Sequence, residues 1–139
     1  MSTIEECPFC NPEDRVLIQN DLAQAFLSNP KITTGHFLIT PKRHVEKPWE
    51  LTNDEILNIF ALINIVEQKL IETMAEGCDV RQNYKPFLKQ NRVKVDHIHY
   101  HVIPRSNEDH LFQVSEKFGN QLWEEVSQKE RTRFAELFK

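Results

Sequence analysis

The order of patterns along the chain predicts an α+β fold: short strands, one long helix, further strands, then helices. Three observations carry this. A capped helical period runs through the middle of the 139 residues. Alternating apolar segments flank it on both sides. A second capping signature stands near the C-terminus. The length fits one domain, able to bury a core without disulfide staples.

Residues 15–19 and 22–27 read as two strands joined by a turn at Asn20-Asp21. Residues 36–40 form a third strand, stopped by Pro41. A loop containing Pro48 follows. Thr52-Asn53-Asp54-Glu55 fits a capping box, in which hydroxyl and carboxylate satisfy each other's backbone donors. Behind it Ile56, Ile59, Phe60, Ile63, Val66 and Leu70 recur at helical spacing, so one apolar face is expected, ending near Gly77. Strands are expected at 78–83 and 93–103. Residues 108–126 read as helical, anchored by Leu111, Leu122 and Trp123. Ser127-Gln128-Lys129-Glu130 opens a last helix with Phe134, Leu137 and Phe138 on its apolar side.

Composition narrows the function. The chain is 40% hydrophobic and 27% charged, with a net charge of -4, an ordinary globular mix. A general nucleic-acid binder carries a basic face to neutralise phosphates, so that class is not expected. No apolar run approaches the roughly 20 residues of a membrane span, and no signal peptide is visible. Cytoplasm is the expected compartment. Thiols stay reduced there, and the close pair Cys7-Pro8-Phe9-Cys10 points to metal or redox chemistry more than to a disulfide. Two reduced surface thiols would have the same spacing. Cys78 reads as a small buried apolar residue.

The segment Val95-Asp96-His97-Ile98-His99-Tyr100-His101-Val102-Ile103 alternates strictly. As a strand it places His97, His99 and His101 on one face, roughly 6.6 Å apart at about 3.3 Å per residue. Ile98, Tyr100 and Val102 point the other way, toward the long helix. Residue chemistry alone leaves three readings open: an incidental polar face, a three-histidine metal site, and imidazoles sharing one phosphate-sized substrate.

The run His97-Ile98-His99-Tyr100-His101-Val102-Ile103, continued by Pro104-Arg105, is similar to the signature of the histidine triad (HIT) family. Gly35-His36-Phe37-Leu38-Ile39-Thr40-Pro41-Lys42-Arg43-His44 resembles that family's other recurring segment, and Ala25-Phe26 resembles the entrance to its nucleoside pocket. The likeness covers about residues 7–105, with 106–139 as a C-terminal helical extension of a single domain. It implies an antiparallel sheet packed against one long helix, with C-terminal helices, in a homodimer that acts on small nucleotides and not on nucleic acid or membranes. It implies a nucleotide phosphoramidase or dinucleoside polyphosphate hydrolase. The alternative is a nucleotide-binding or sensing module with little turnover.

By the same resemblance, His99 attacks the α-phosphorus and forms a covalent nucleotidyl-imidazole. His101 donates to a phosphate oxygen, and the backbone carbonyl of His97 orients His99. The zinc-containing branch of the family places a structural zinc on Cys7, Cys10, His44 and His97. Four protein ligands would close its coordination shell.

Two departures bear on nucleotide contacts. At the usual glutamine position, four before His97, stands Val93, so phosphate donors are sought among Asn83, Gln90, Asn91, Arg92 and Lys94. Strand alternation would turn Lys94 away from the histidine face unless the strand bulges. The acidic residue that usually holds the ribose is replaced by Ser28-Asn29, beside Phe26. His36 is expected to support the site or the packing around it.

Overall fold

The computed structural model describes residues 7–91 and 94–139. Arg92 and Val93 lie outside them. Among the described residues five strands form one antiparallel sheet: β1 (Ile18–Gln19), β2 (Ala23–Leu27), β3 (Phe37–Pro41), β4 (Gly77–Gln82) and β5 (Tyr100–Arg105), in the order β1-β2-β3-β5-β4. The fold class is the α+β class expected. The hairpin turn at Asn20 is built by its side chain, whose Oδ1 accepts from the backbone N–H groups of Leu22 and Ala23.

The long helix, α1 (Asn53–Thr73), starts at the expected capping box. Thr52 Oγ1 accepts from the Glu55 N–H at 3.1 Å, and Glu55 Oε1 accepts from the Thr52 N–H at 2.9 Å. Glu55 is buried, and Arg43 closes on it with two hydrogen bonds of 2.8 and 3.1 Å. The buried stripe is Ile59, Leu62, Ile63, Val66 and Leu70. Ile56 and Phe60, expected on this stripe, are 39% and 42% exposed. They sit on its edge, because Leu62 takes the centre of the contact with Ala23, Ala25, Ile39 and Val102. The helix ends at Thr73, four residues before Gly77.

Helix α1 covers one face of the sheet. The other face carries Phe26 and Leu38, which pack with Cys7 and Phe9. Ile98, Tyr100 and Val102 face the α1 side, as the alternation predicts. The strand itself is shorter than the expected 93–103. Its ladder with β3 stops at the pair Ile39–Tyr100, since Pro41 has no N–H for a further rung. Ile98 N–H instead donates to the Val45 carbonyl at 2.7 Å. His97 and His99 therefore precede the sheet, and only His101 belongs to it.

Ahead of β3, Gly35 adopts φ +84°, and a Cβ there would meet Pro104 Cγ at 3.1 Å and Met74 Sδ at 3.2 Å. Glycine alone combines that backbone with that approach. The turn is then tied to β2 by the Ser28 N–H, which donates to the His36 carbonyl at 2.8 Å.

Residues 108–139 form a separate compact unit. Its α2 (Gln128–Leu137) begins at the Ser127 capping box as expected. The helix expected over 108–126 is instead two short turns, Phe112–Glu116 and Gly119–Leu122, and Trp123 is 85% exposed. None of the described residues in this unit is buried, so it lacks the apolar anchoring that a longer helix needs.

Candidate active site and metal cage

His97 is buried. Its Nε2–H donates to the Pro41 carbonyl at 2.8 Å, which leaves the Nδ1 lone pair facing Cys7 Sγ and Cys10 Sγ, each at 3.4 Å. His44 repeats this arrangement. Nε2 is held by Glu46 Oε2 at 2.9 Å, and Nδ1 lies 3.1 Å from Cys10 Sγ. The four ligand atoms lie within 4.8 Å of one another. Two sulfurs and two imidazole lone pairs in a closed cluster fit a tetrahedral ion, for which N–S separations of about 3.5 Å follow from bonds near 2.0 and 2.3 Å. The outer Nε2 groups of both rings are already engaged, which fixes tautomer and orientation. Cys7, Cys10, His44 and His97 can therefore hold a metal ion. With thiols alone, burial and the neighbouring Cys7 push Cys10 up to about 12; a cation in the cage reverses that preference.

The backbone of His97 does a second job. Its carbonyl accepts from His99 Nδ1 at 2.8 Å. A carbonyl only accepts, so Nδ1 carries the proton and Nε2 has the free lone pair. Burial lowers the His99 pKa, outweighing the hydrogen bond to His97 that favours the charged ring.

His101 is held by His36, the residue just ahead of β3. The Ile32 N–H donates to His36 Nδ1 at 3.1 Å, and His36 Nε2 lies 2.9 Å from His101 Nδ1. A backbone N–H can only donate, so in a neutral His36 the proton is on Nε2. That N–H donates to His101 Nδ1, so a neutral His101 carries its own proton on Nε2. Burial holds His36 at about 4 and His101 at about 3, with like charge from Arg81 and His99 adding to both, so both rings are neutral near pH 7. Neighbouring rings His99 and His101, 5.0 Å apart at their centroids, thus present one lone pair and one N–H donor. Neither joins a metal-ligand cluster among the described residues, which removes the three-histidine metal reading.

A pocket of about 450 Å³ opens on these two rings, lined on its apolar side by Phe9, Ile32, Leu38 and Val95. Of the residues expected to contact nucleotide, Ser28, Asn29 and Asn91 line it. Phe26 is fully buried and backs the wall through Phe9, 5.3 Å away. Asn83 lies elsewhere, on a smaller cavity of about 80 Å³ that borders His97 and His99. Gln90 lines neither cavity; its Oε1 accepts from the Asp96 N–H at 2.8 Å and shapes the loop. Lys94 does not turn away from the histidines as strand alternation required. Residues 94–99 are not strand, and Lys94 lines the smaller cavity beside His99, ion-paired with Asp96.

Sequence reasoning missed Arg15 and Lys31, which also line the large pocket. A signal for Arg15 existed. The hairpin register Ile18–Ala25, extended outward, puts Arg15 across from Ser28. Lys47 and Lys85, on the smaller cavity, had no such signal.

The HIT domain family matches residues 11–108 of the sequence. The chain belongs to the HIT family. An adenosine 5'-monophosphoramidase of Schizosaccharomyces pombe is 31% identical over 123 residues, spanning 81% of this HIT protein and 86% of the relative. A bis(5'-nucleosyl)-tetraphosphatase of the same organism is 27% identical over 104 residues, which is 68% of this chain and 51% of that one. These relatives are hydrolases by name, which supports a hydrolase here. Among solved structures, a HIT family protein of Bacillus anthracis superposes with TM-score 0.74 at 23% identity, covering 98% and 96% of the two chains. A Zn-bound histidine triad protein of Mycobacterium smegmatis gives TM-score 0.66 at 24% identity over 78% and 81%. At these identities the two structures show the HIT fold.

Proposed function

We propose that this HIT protein hydrolyses a nucleotide at its α-phosphorus through a covalent nucleotidyl-His99 intermediate. The observation that carries the reading is the 2.8 Å bond from His99 Nδ1–H to the His97 carbonyl, which aims a neutral Nε2 lone pair at the pocket. Nε2 attacks phosphorus, and the bond from phosphorus to the leaving group breaks with its electron pair. His101 Nε2–H donates to an oxygen of the phosphoryl group and stabilises the charge that builds there. Water then attacks phosphorus, the P–N bond to His99 breaks, and nucleoside monophosphate leaves. Dividing one displacement into two in this way is the advantage of covalent catalysis. Around the smaller cavity Lys94 is ion-paired with Asp96 and Glu46 is engaged by His44, which leaves Lys47 and Lys85 to favour a polyphosphate leaving group over a neutral amine.

The donor set Cys7, Cys10, His44 and His97 fits zinc, and a Zn-bound relative of the same fold supports that choice. Bound zinc supplies a structural tie, fixing the segment whose carbonyl holds His99. Residues 1–139 act as one HIT domain, with 106–139 as an extension. The homodimer is supported by the place of β4 at the edge of the sheet among the described residues and by the exposed apolar side chains Ile56, Phe60 and Val80. No helix among the described residues is long and apolar enough to cross a membrane. A reduced thiol pair suits the cytoplasm.

Intact mass spectrometry of enzyme quenched during turnover of diadenosine tetraphosphate and of adenosine phosphoramidate tests the reading. A mass gain of one nucleotidyl group, absent in His99→Asn, is expected. Tight binding of both nucleotides without adduct or product would identify a sensing module instead.

A further inference from the structure

The chemistry at phosphorus leaves one feature of the large pocket unused. Its wall carries Arg15 and Lys31, and no Asp or Glu is among the described residues that line it. Arg15 is fixed in place. Its guanidinium lies over the Phe26 ring, 4.7 Å from the centroid, and Nη2 donates to the Leu27 carbonyl at 3.2 Å. The remaining N–H groups of the fork are left for a ligand. Lys31 makes no hydrogen bond or ion pair among the described residues. Ser28 spends its hydroxyl proton on the Pro30 carbonyl at 2.7 Å, so it offers a ligand no donor of its own.

A ribose with free hydroxyls is matched best by a carboxylate, and the described wall offers only the weaker neutral acceptors of Ser28, Asn29 and Asn91. Two cations demand an acceptor-rich, anionic partner, and a guanidinium fork suits a phosphate geometrically as well as electrostatically. The placement is consistent with the sugar end of a nucleotide. Arg15 stacks on a β2 residue, and His101 stands on β5, two strand spacings or about 10 Å across the sheet. A nucleotide whose 5'-phosphorus sits at His99 extends its sugar toward Arg15.

We propose that this pocket selects nucleotides bearing a second phosphate on the ribose, at the 2' or 3' oxygen, held by Arg15 and Lys31. The inference rests on the nucleotide reading above and specifies its substrate class.

Calorimetry on the metal-loaded protein at fixed ionic strength tests it, with adenosine 5'-monophosphate, adenosine 5'-diphosphate and the 2',5'- and 3',5'-bisphosphates as probes. At least one bisphosphate should bind about tenfold or more tightly than the monophosphate, the worth of one charge-assisted contact. The two bisphosphates tell which oxygen carries the group. In Arg15→Gln, and separately in Lys31→Gln at an exposed position, that preference should shrink several-fold while monophosphate affinity changes less. Equal affinity for the monophosphate and both bisphosphates overturns the proposal and leaves the hydrolase reading intact. So does a gain for the diphosphate as large as for the bisphosphates, which marks general attraction of charge. A preference that survives both substitutions also overturns it. Failure to bind any of the four overturns both readings.

Discussion

Replacing His36 tests the tautomer argument directly. His36 is 2% exposed, and its 2.9 Å contact with His101 Nδ1 is the link that forces the His101 proton onto Nε2. In His36→Phe a slightly larger aromatic ring is kept, while the donor to His101 and the acceptor of the Ile32 N–H are lost. His101 Nδ1 is then without the His36 donor, and the proton is free to sit there, which removes the Nε2–H proposed to donate to the phosphoryl oxygen. Losing one hydrogen bond costs about 0.5–1.5 kcal/mol, and losing a preorganised donor outright costs about 10²–10³ in kcat. The variant keeps the His101 ring, so the expected loss lies below that ceiling, roughly 10- to 100-fold in kcat with KM changed little. His36→Gln, which retains an N–H donor, should recover part of it. Steady-state kinetics on diadenosine tetraphosphate read the rate, and nitrogen-15 NMR of the imidazoles reads which His101 nitrogen is protonated. An unchanged kcat in His36→Phe, or a His101 proton that stays on Nε2 without His36, would refute the reasoning.

Further outcomes follow from other contacts. Burial holds His99 below the ordinary imidazole value and His101 at about 3, so a neutral pair persists as pH falls. The acid limb of kcat/KM should therefore lie below pH 6.5; a limb above it would contradict the buried, neutral site. Glu55 is held below the usual carboxylate range, chiefly by its hydrogen bonds from Arg43, so it stabilises the fold above its unfolded pKa and loses that effect as pH drops through the folded one. Glu55→Gln should cost about 1–3 kcal/mol in urea unfolding at pH 7, and the gap from wild type should narrow below about pH 4. Purified protein should carry one zinc per chain by elemental analysis, and Cys10→Ser should lose it together with a large fall in Tm. A Cys10→Ser protein as stable and as active as wild type would remove the cage from the account.

What could be read from the sequence follows physical range. The capping box at Thr52, the parity of Ile98, Tyr100 and Val102, and the hairpin turn at Asn20 are fixed by neighbours a few residues apart. Local pattern therefore sufficed for them. The length of β5 was not legible, because the ladder's end depends on Pro41, more than fifty residues away, and on the Val45 carbonyl that takes the Ile98 N–H. Lys94 was misplaced for the same reason: alternation holds only where there is a strand. The ligand set of the cage came from resemblance, and the spacing of Cys7 and Cys10 alone left redox and surface readings open. His36 could be placed only as a support of the site or its packing, since its specific role depends on a nitrogen-to-nitrogen contact between the residue ahead of β3 and His101 on β5.

A single layer of backbone separates the packed core from the reacting groups, and in β5 that separation is a matter of odd and even positions. Tyr100 and Val102 face the helix while His101 faces the pocket. Adding or deleting one residue between His99 and Val102 would exchange the two sets, driving an imidazole into hydrocarbon and an aliphatic chain into the reaction site. Drift in length is thereby excluded from the six residues of β5, whereas the described residues 83–91 and 94–96, which lie outside any strand, are not bound by that alternation. A change of charge at Lys85 or Lys94 can therefore alter the cavity beside His99 without disturbing the strand's parity.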